Sequence, residues 1–447
     1  MAIELSNLMF TNKDDIVPLS GTEQILNTGI ANTLAGKDRL TGIGGNFGLN
    51  NFSTGIINTD RGNDSITGIG GYGIVNIGTI QTDAGNDTLI GFAANGTEFI
   101  SEGIYNEGTI DLGTGNDVMA GTVTGGGFIK NGIHNDGTIN LGAGNDVISG
   151  TDTSGTGLVD GFRNEGLIDA GTGNDILTGT STDSPNSSAN YGIHNFSRIN
   201  MGDGNDEITG IGAIGVYNDG GTIDTGSGND NIRGASPSLE GINNTGTIKT
   251  GQGGDTIFGT TSGASSATFD IGGIFNFGKI ETDAGDDTIV GINLADVEQD
   301  NGIPEPGPVR SGVANLGTID TGAGDDIIIG TSTFDGNGIY NTGTILTGAG
   351  NDLVDARKGG FRGNGNILLG EGYDIIKGFG NGSFNGGSGQ DTLELTTGSY
   401  TVSISGTTVS FTSDGITMNT SEFEKLIADS TTYDFTSLFN GQTIAIA

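Results

Sequence analysis

The sequence predicts an all-β chain, wound as a parallel β-solenoid (β-helix-like or β-roll-like) of about 12–13 coils. Three observations carry this. Of 447 residues, 88 are Gly, and the remainder is rich in Thr, Asn, Asp and Ser, which suits turns and short strands and suits helices poorly. One motif, G-I-x-N-x-G-T-I-x-T-G-x-G-N-D-x-I-x-G, recurs through most of the chain. Within it apolar residues alternate with small or polar ones over short runs broken by Gly.

The motif is plain in Gly103 to Gly121 (GIYNEGTIDLGTGNDVMAG) and in Asn131 to Gly150 (NGIHNDGTINLGAGNDVISG). It returns in Glu240 to Gly259 and in Ser311 to Gly330. Its aspartate recurs as Asp64, Asp87, Asp117, Asp146, Asp175, Asp206, Asp230, Asp255, Asp287, Asp326, Asp352, Asp374 and Asp391, with Asp38 as a degenerate first copy. The spacing runs from 17 residues (Asp374 to Asp391) to 39 (Asp287 to Asp326). The motif core keeps its length, so insertions fall in the tail of each coil, as a solenoid requires.

Two residues after each aspartate stands an apolar side chain: Ile66, Leu89, Met119, Ile148, Leu177, Ile208, Ile232, Ile257, Ile289, Ile328, Val354, Ile376 and Leu393. Stacked coil on coil at ~4.8 Å, these form an aliphatic core. Asn76, Asn106, Asn135, Asn164, Asn195, Asn218, Asn244, Asn276, Asn315 and Asn341 form a second column, whose amides are expected to bond to one another as a ladder. About thirteen coils at that spacing give a rod on the order of 60 Å.

The net charge is −38, from 54 acidic and 16 basic residues. That excludes nucleic acid and anionic membranes as partners and favours cations. With no Cys, disulfides and thiolate metal sites are absent. No run approaches the ~20 apolar residues of a membrane helix, so no membrane insertion is expected.

The G-x-G-N-D turn carries the candidate chemistry. Its glycines permit positive φ and expose carbonyls, and its aspartate brings a carboxylate. Calcium takes six to eight oxygens of these two kinds at about 2.3–2.6 Å. Carboxylates stacked ~5 Å apart repel by about 3 kcal/mol per pair at an effective dielectric constant of ~20. Asn closes a turn as well as Asp without that repulsion. The thirteen motif aspartates, Asp64 to Asp391, are therefore the expected Ca2+ ligands, with several ions along one edge.

The motif resembles the hemolysin-type, or repeats-in-toxin, calcium-binding nonapeptide G-G-x-G-x-D-x-U-x. Gly386 to Leu393 (GGSGQDTL) and Thr250 to Ile257 (TGQGGDTI) carry the likeness best. The resemblance implies a parallel β-roll with Ca2+ between stacked turns, bound by the aspartates above and by turn carbonyls. It covers residues 35–395. The first glycine of the pair is usually replaced (Thr225, Leu112, Asp283), and one turn per coil implies calcium on a single edge.

Residues 1–34 are expected to form an N-terminal cap, and residues 396–447 a C-terminal cap. Tyr400 to Thr412 reads as a hairpin turning at Gly406, and Ser421 to Ala428 as a short helix capped by Ser421. The start lacks the pattern of a cleaved secretory signal. The C-terminal tail is similar to those of repeats-in-toxin proteins that leave the cell by type I export, so an extracellular or cell-surface place is expected. Ile292 to Arg310, Thr151 to Asp160 and Thr180 to Tyr191 read as variable loops able to meet a glycan or surface protein.

No catalytic site is expected. His134 and His194 share one repeat position with Tyr105, Arg163, Tyr217, Asn243, Phe275 and Ala314, which reads as an outward, tolerant place. A polysaccharide-processing β-helix enzyme is the weakest alternative. An adhesin or ice-binding rod is another. Its support is a partial threonine file (Thr79, Thr109, Thr138, Thr222, Thr247, Thr318, Thr344), interrupted at Leu167, Arg198 and Lys279. The leading expectation is a secreted calcium-binding structural repeat protein.

Overall fold

The computed structural model describes residues 2–18, 23–94, 99–125, 127–154, 157–182, 190–263, 271–295, 310–333 and 336–447. It is all-β: apart from two short 3-10 turns at Leu5–Asn7 and Phe435–Ser437, its regular elements among the described residues are strands. The chain divides into two compact units, Met1–Arg233 and Gly234–Ala447.

A coil of the first unit has three strands on three faces. Ile100–Asn106 lies on the first face, Thr109–Asp111 on the second and Val118–Val123 on the third. Each pairs in parallel with its equivalent one coil later, Ile129–Asn135, Thr138–Asn140 and Val147–Asp152. The register is equivalent on equivalent: Ile110 meets Ile139, Met119 meets Ile148, Asn106 meets Asn135.

Equivalent register builds the columns. Ile57, Ile80, Ile110, Ile139, Ile168, Ile199 and Ile223 are fully buried on the second face, as are Ile66, Met119, Leu177 and Ile208 on the third. Fully burying such a side chain stabilises by roughly 1.5–3 kcal/mol, so the repeats together supply the core. The interior is thin. A Cβ on Gly121 would lie 2.1 Å from the carbonyl oxygen of Gly132 across the coil, so only glycine fits where these two faces meet.

The asparagine ladder forms as expected and starts two coils earlier than the motif suggests. Asn27 donates to Asn51, Asn51 to Asn76, and the chain of side-chain bonds runs on through Asn106, Asn135, Asn164 and Asn195 to Asn218, at 2.7–2.9 Å. In the second unit it runs from Asn244 through Asn276 and Asn315 to Asn341. Each amide also donates to backbone carbonyls; Asn106 reaches those of Gly108 and Thr138. Apart from the Oδ1 of Asn27 at the first rung, these buried amides are thus satisfied across coils.

Strands on both sides of residues 34 and 396 run in the same ladders. Ala2–Glu4 pairs in parallel with Gln24–Asn27, and Ile16–Val17 with Arg39–Ile43. In the second unit Gly382–Gly389 pairs in parallel with Ile416–Ser421, and Thr392–Leu395 with Lys425–Ala428. The expected hairpin is present: Gly398–Ser405 and Thr408–Ser413 run antiparallel around Gly406, whose φ is 63°.

The expected helix over Ser421 to Ala428 is not formed. Strand Ile416–Ser421 ends there, Glu422 turns the chain at φ 57°, and Lys425–Ala428 is a strand. Leu426 and Ala428 continue the buried column of Leu393 and Leu395. Adding a rung to a preformed ladder outweighs the propensity of eight residues, too few for a stable isolated helix.

Candidate metal centre

The turn that follows each second-face strand places the motif aspartate. In Gly113 to Asp117 the first glycine has φ 92° and the second, Gly115, φ 148°. A Cβ on Gly115 would sit 1.4 Å from the carbonyl oxygen of Gly85 in the previous coil, so the turns stack backbone on backbone. Where the first of these glycines is missing, Asp60, Asp83 and Asp283 take its left-handed conformation at φ 60–61°, which Asp tolerates better than most residues. Asp283 therefore stands in the place of the family's second glycine, not its first as expected from the sequence; Thr282 holds the first.

The residues in that first place point inward and are buried. They are Thr59, Thr82, Leu112, Leu141, Ala170, Met201, Thr225, Thr250, Thr282, Thr321, Thr347 and Leu369. The aspartates are buried beside them. All thirteen are at most 2% exposed, and so is Asp38.

Each carboxylate does two different things with its two oxygens. Oδ1 accepts the backbone N–H of the aspartate one coil earlier. Asp64 takes that of Asp38, Asp87 that of Asp64, and the series continues through Asp117, Asp146, Asp175 and Asp206 to Asp230, at 2.7–2.8 Å. The second unit repeats it from Asp255 through Asp287, Asp326, Asp352 and Asp374 to Asp391, at 2.7–2.9 Å. Oδ2 is different. In Asp64, Asp87, Asp117, Asp146, Asp175, Asp206, Asp287, Asp326, Asp352, Asp374 and Asp391 it is buried and accepts no hydrogen bond.

Burial penalises the charged form. It pushes the carboxyls of Asp117, Asp175, Asp326 and Asp374 up to about 7, and those of Asp64, Asp146, Asp206, Asp287 and Asp391 up to about 6. Opposing bonds from the neighbouring backbone N–H limit the rise. A proton on Oδ2 would itself lack an acceptor. The residues therefore fit a hard cation better than they fit either proton state: oxygen donors only, negative charge, and an unbonded oxygen on each of these eleven aspartates.

Two features of the column escape the motif. Its last rung is closed by Glu424, whose Oε2 accepts the Asp391 N–H at 2.7 Å and so replaces a further aspartate. Glu424 stands in a segment that reads as helix, so nothing in the sequence marks it. A second ladder runs outside the first. Asn116 N–H donates to Asn86 Oδ1, Asn145 to Asn116, Asn174 to Asn145 and Asn205 to Asn174, each bond pointing back one coil. The inner aspartate bonds point forward. From Asn86 to Asn205 the motif's N-D pair thus stitches each turn to its neighbours.

The remaining candidates fall as follows. The threonine file is in register: Thr79, Thr109 and Thr138 stack, then Leu167 and Arg198 interrupt before Thr222. In the second unit Lys279 separates Thr247 from Thr318. The file is not continuous in either unit. The histidines are not simply outward. His134 Nδ1 lies 2.6 Å from Glu102 Oε1, and His194 is 6% exposed among Tyr191, Phe196 and Tyr217. Neighbouring coils cover a position that variability alone marks as free. Much of the expected variable loops, residues 155–156, 183–189 and 296–309, lies outside the described residues.

No family model matches the sequence, and no curated protein does. Among solved structures, the chain is similar to a hyperactive, Ca2+-dependent, β-helical antifreeze protein from an Antarctic bacterium, known from an X-ray crystal structure. The likeness is 18% identity over 96% of each chain, with a TM-score of 0.38. At that level it says nothing of what this chain binds. The chain's own register defines a parallel β-solenoid repeat protein with a buried acidic column. No helix among the described residues is long and apolar enough to cross a membrane.

Proposed function

We propose that this is a non-enzymatic, calcium-binding structural repeat protein, whose motif aspartates hold Ca2+ along one turn of the solenoid. The observation that carries the reading is the set of buried, unbonded Oδ2 atoms in eleven of the motif aspartates. Calcium bound there supplies positive charge to carboxylates that otherwise repel their neighbours. The protein's residues supply the rest. Oδ1 fixes each side chain against the backbone of the coil before it, and the glycines bring carbonyl oxygens to the same turn.

The reading includes export before folding. A chain of net charge −38 resists compaction where free calcium is scarce, and neutralising the column outside the cell couples folding to arrival.

The test is a calcium titration of EDTA-stripped protein followed by circular dichroism and calorimetry, with magnesium as control, beside the variant Asp146→Asn. Asparagine keeps an Oδ1 for the Asp117 N–H and removes the charge. Calcium-dependent stabilisation in the parent, with one site fewer in the variant, supports the reading. Full stability in EDTA with no heat of calcium binding overturns it and leaves the column purely structural.

A further inference from the structure

A group of polar side chains outside the acidic column does not repeat from coil to coil. It spans three coils of the first unit. Tyr105, His134 and Arg163 stack in register along the first face. Asp136 and Glu165 occupy equivalent places in the turns that follow His134 and Arg163. Glu102 stands on the strand before them.

From these residues we infer a second metal centre, in which His134, Asp136 and Glu165 bind one borderline divalent cation of the Zn2+ class. His134 Nε2 lies 2.9 Å from Asp136 Oδ1 and 3.7 Å from Glu165 Oε1. The three ligating atoms all fall within 4.8 Å of one another. Tetrahedral zinc, with bonds of about 2.0–2.2 Å to nitrogen and oxygen, separates neighbouring donors by about 3.3 Å.

The tautomer points the same way. Glu102 is 3% exposed; its Oε1 lies 2.6 Å from His134 Nδ1 and also accepts from Asn131 Nδ2 at 3.1 Å. A carboxylate only accepts, so Nδ1 carries hydrogen and Nε2 is the ring atom left for a metal. That buried Nε2 forms a hydrogen bond with neither nearby carboxylate. Nε2 and the two carboxylates face one another, which is the arrangement of ligands around a cation.

Each ligand is held by a different neighbour. Glu102 orients His134. Tyr105 donates its hydroxyl to Asp136 Oδ2 at 3.0 Å, leaving Oδ1 for the metal. Arg163 donates to Glu165 Oε1 through Nε at 2.7 Å. Such outer partners fix ligand geometry at metal sites. Glu102, Asp136 and Glu165, with Asp160 also paired to Arg163, set four carboxylates against one guanidinium, so the cluster is acidic and a divalent cation offsets its charge. The Asp136 and Glu165 side chains are 30% and 41% exposed, so an ion and a water ligand have access.

The second histidine serves as an internal control. His194 occupies the same repeat position two coils on, but Phe196 replaces Asp136 and Glu165 in the following turn. Its Nε2 lies 3.9 Å from Asp219 Oδ2. The histidine position alone therefore does not make the centre; the acidic pair after it does.

The test uses the full chain in saturating calcium, so that the acidic column is out of play and the result stands whatever that column binds. The chain has two histidines, which histidine-selective 15N labelling resolves. Titration with Zn2+ is expected to move the Nε2 resonance of His134 and leave that of His194, with one equivalent bound tightly. Co2+ is expected to give a visible absorption band at the same stoichiometry. His134→Gln and Asp136→Asn should abolish both signals, and Glu102→Gln should weaken binding by about 10–100-fold. Unmoved histidine resonances in the parent protein overturn the assignment without recourse to any variant. Equal shifts of both histidines, or parental affinity in Asp136→Asn, overturn it as well.

Discussion

The acidic column passes through two kinds of coil. Beside Asp64, Asp87, Asp287, Asp326 and Asp352 stand Thr59, Thr82, Thr282, Thr321 and Thr347, whose hydroxyls lie near the carboxyls and oppose the effect of burial, although those of Thr82, Thr282, Thr321 and Thr347 donate to carbonyls of the next coil. Beside Asp117, Asp146, Asp175 and Asp206 stand Leu112, Leu141, Ala170 and Met201, with no hydroxyl to offer. Burial raises the carboxyls in both groups, with values of about 6 and about 7 found in each. The same motif and the same backbone turn thus set the carboxylate against a hydroxyl in some coils and against an apolar side chain in others. What differs is one buried side chain, five residues before the aspartate.

The comparison is tested most strongly by removing calcium. EDTA is expected to lower the melting temperature by on the order of ten degrees or more. Hydrogen exchange should then show the coils from Asp117 to Asp206 losing amide protection before those from Asp287 to Asp352. Uniform loss across both stretches would remove the distinction.

The next effect is on pH. These carboxyls have folded-state values raised above the ordinary 3.8, so the folded state binds extra protons between the two values. Stability of the stripped protein therefore falls as pH rises from about 4 to about 7, and is recovered on acidification. The calcium-loaded protein should run the other way in that window, as protons displace the metal. Thermal melts across this range, with and without EDTA, check both signs.

A smaller effect is expected from Thr321→Val. It removes the hydroxyl that donates to the Thr347 carbonyl at 3.2 Å and sits beside Asp326. The stripped protein should lose about 1 kcal/mol, and the Asp326 carboxyl should move further up, measurable by NMR titration. An unchanged Asp326 would mean that the hydroxyl does not influence the column.

Much of this was legible in the sequence because a solenoid repeats its instructions. The Ile columns, the asparagine ladder and the in-register aspartates follow from the motif once coils are stacked. What could not be read is whatever happens once. Glu424 closes the column from a segment with a helical pattern, and only the tertiary ladder makes the residues after it, Lys425–Ala428, a strand. The cluster at His134 joins residues about 30 apart through register, and a column that varies from Tyr to His to Arg looks tolerant until its neighbours are in place. The inward turn of the aspartate side chains was also hidden, because G-x-G-N-D does not say which of N and D faces the core.

The two opposed ladders of the turn have a consequence for inheritance. Each rung bonds only to the rungs beside it, and Asp146 and Asp175 are 29 residues apart in equivalent turns. Deleting residues 146–174 would bring Asn145 directly before Asp175, and the turn would read G-A-G-N-D as before. Both ladders would close across the gap with no new bond required. The number of coils is therefore a quantity that recombination between copies can raise or lower by one, leaving every junction chemically unaltered.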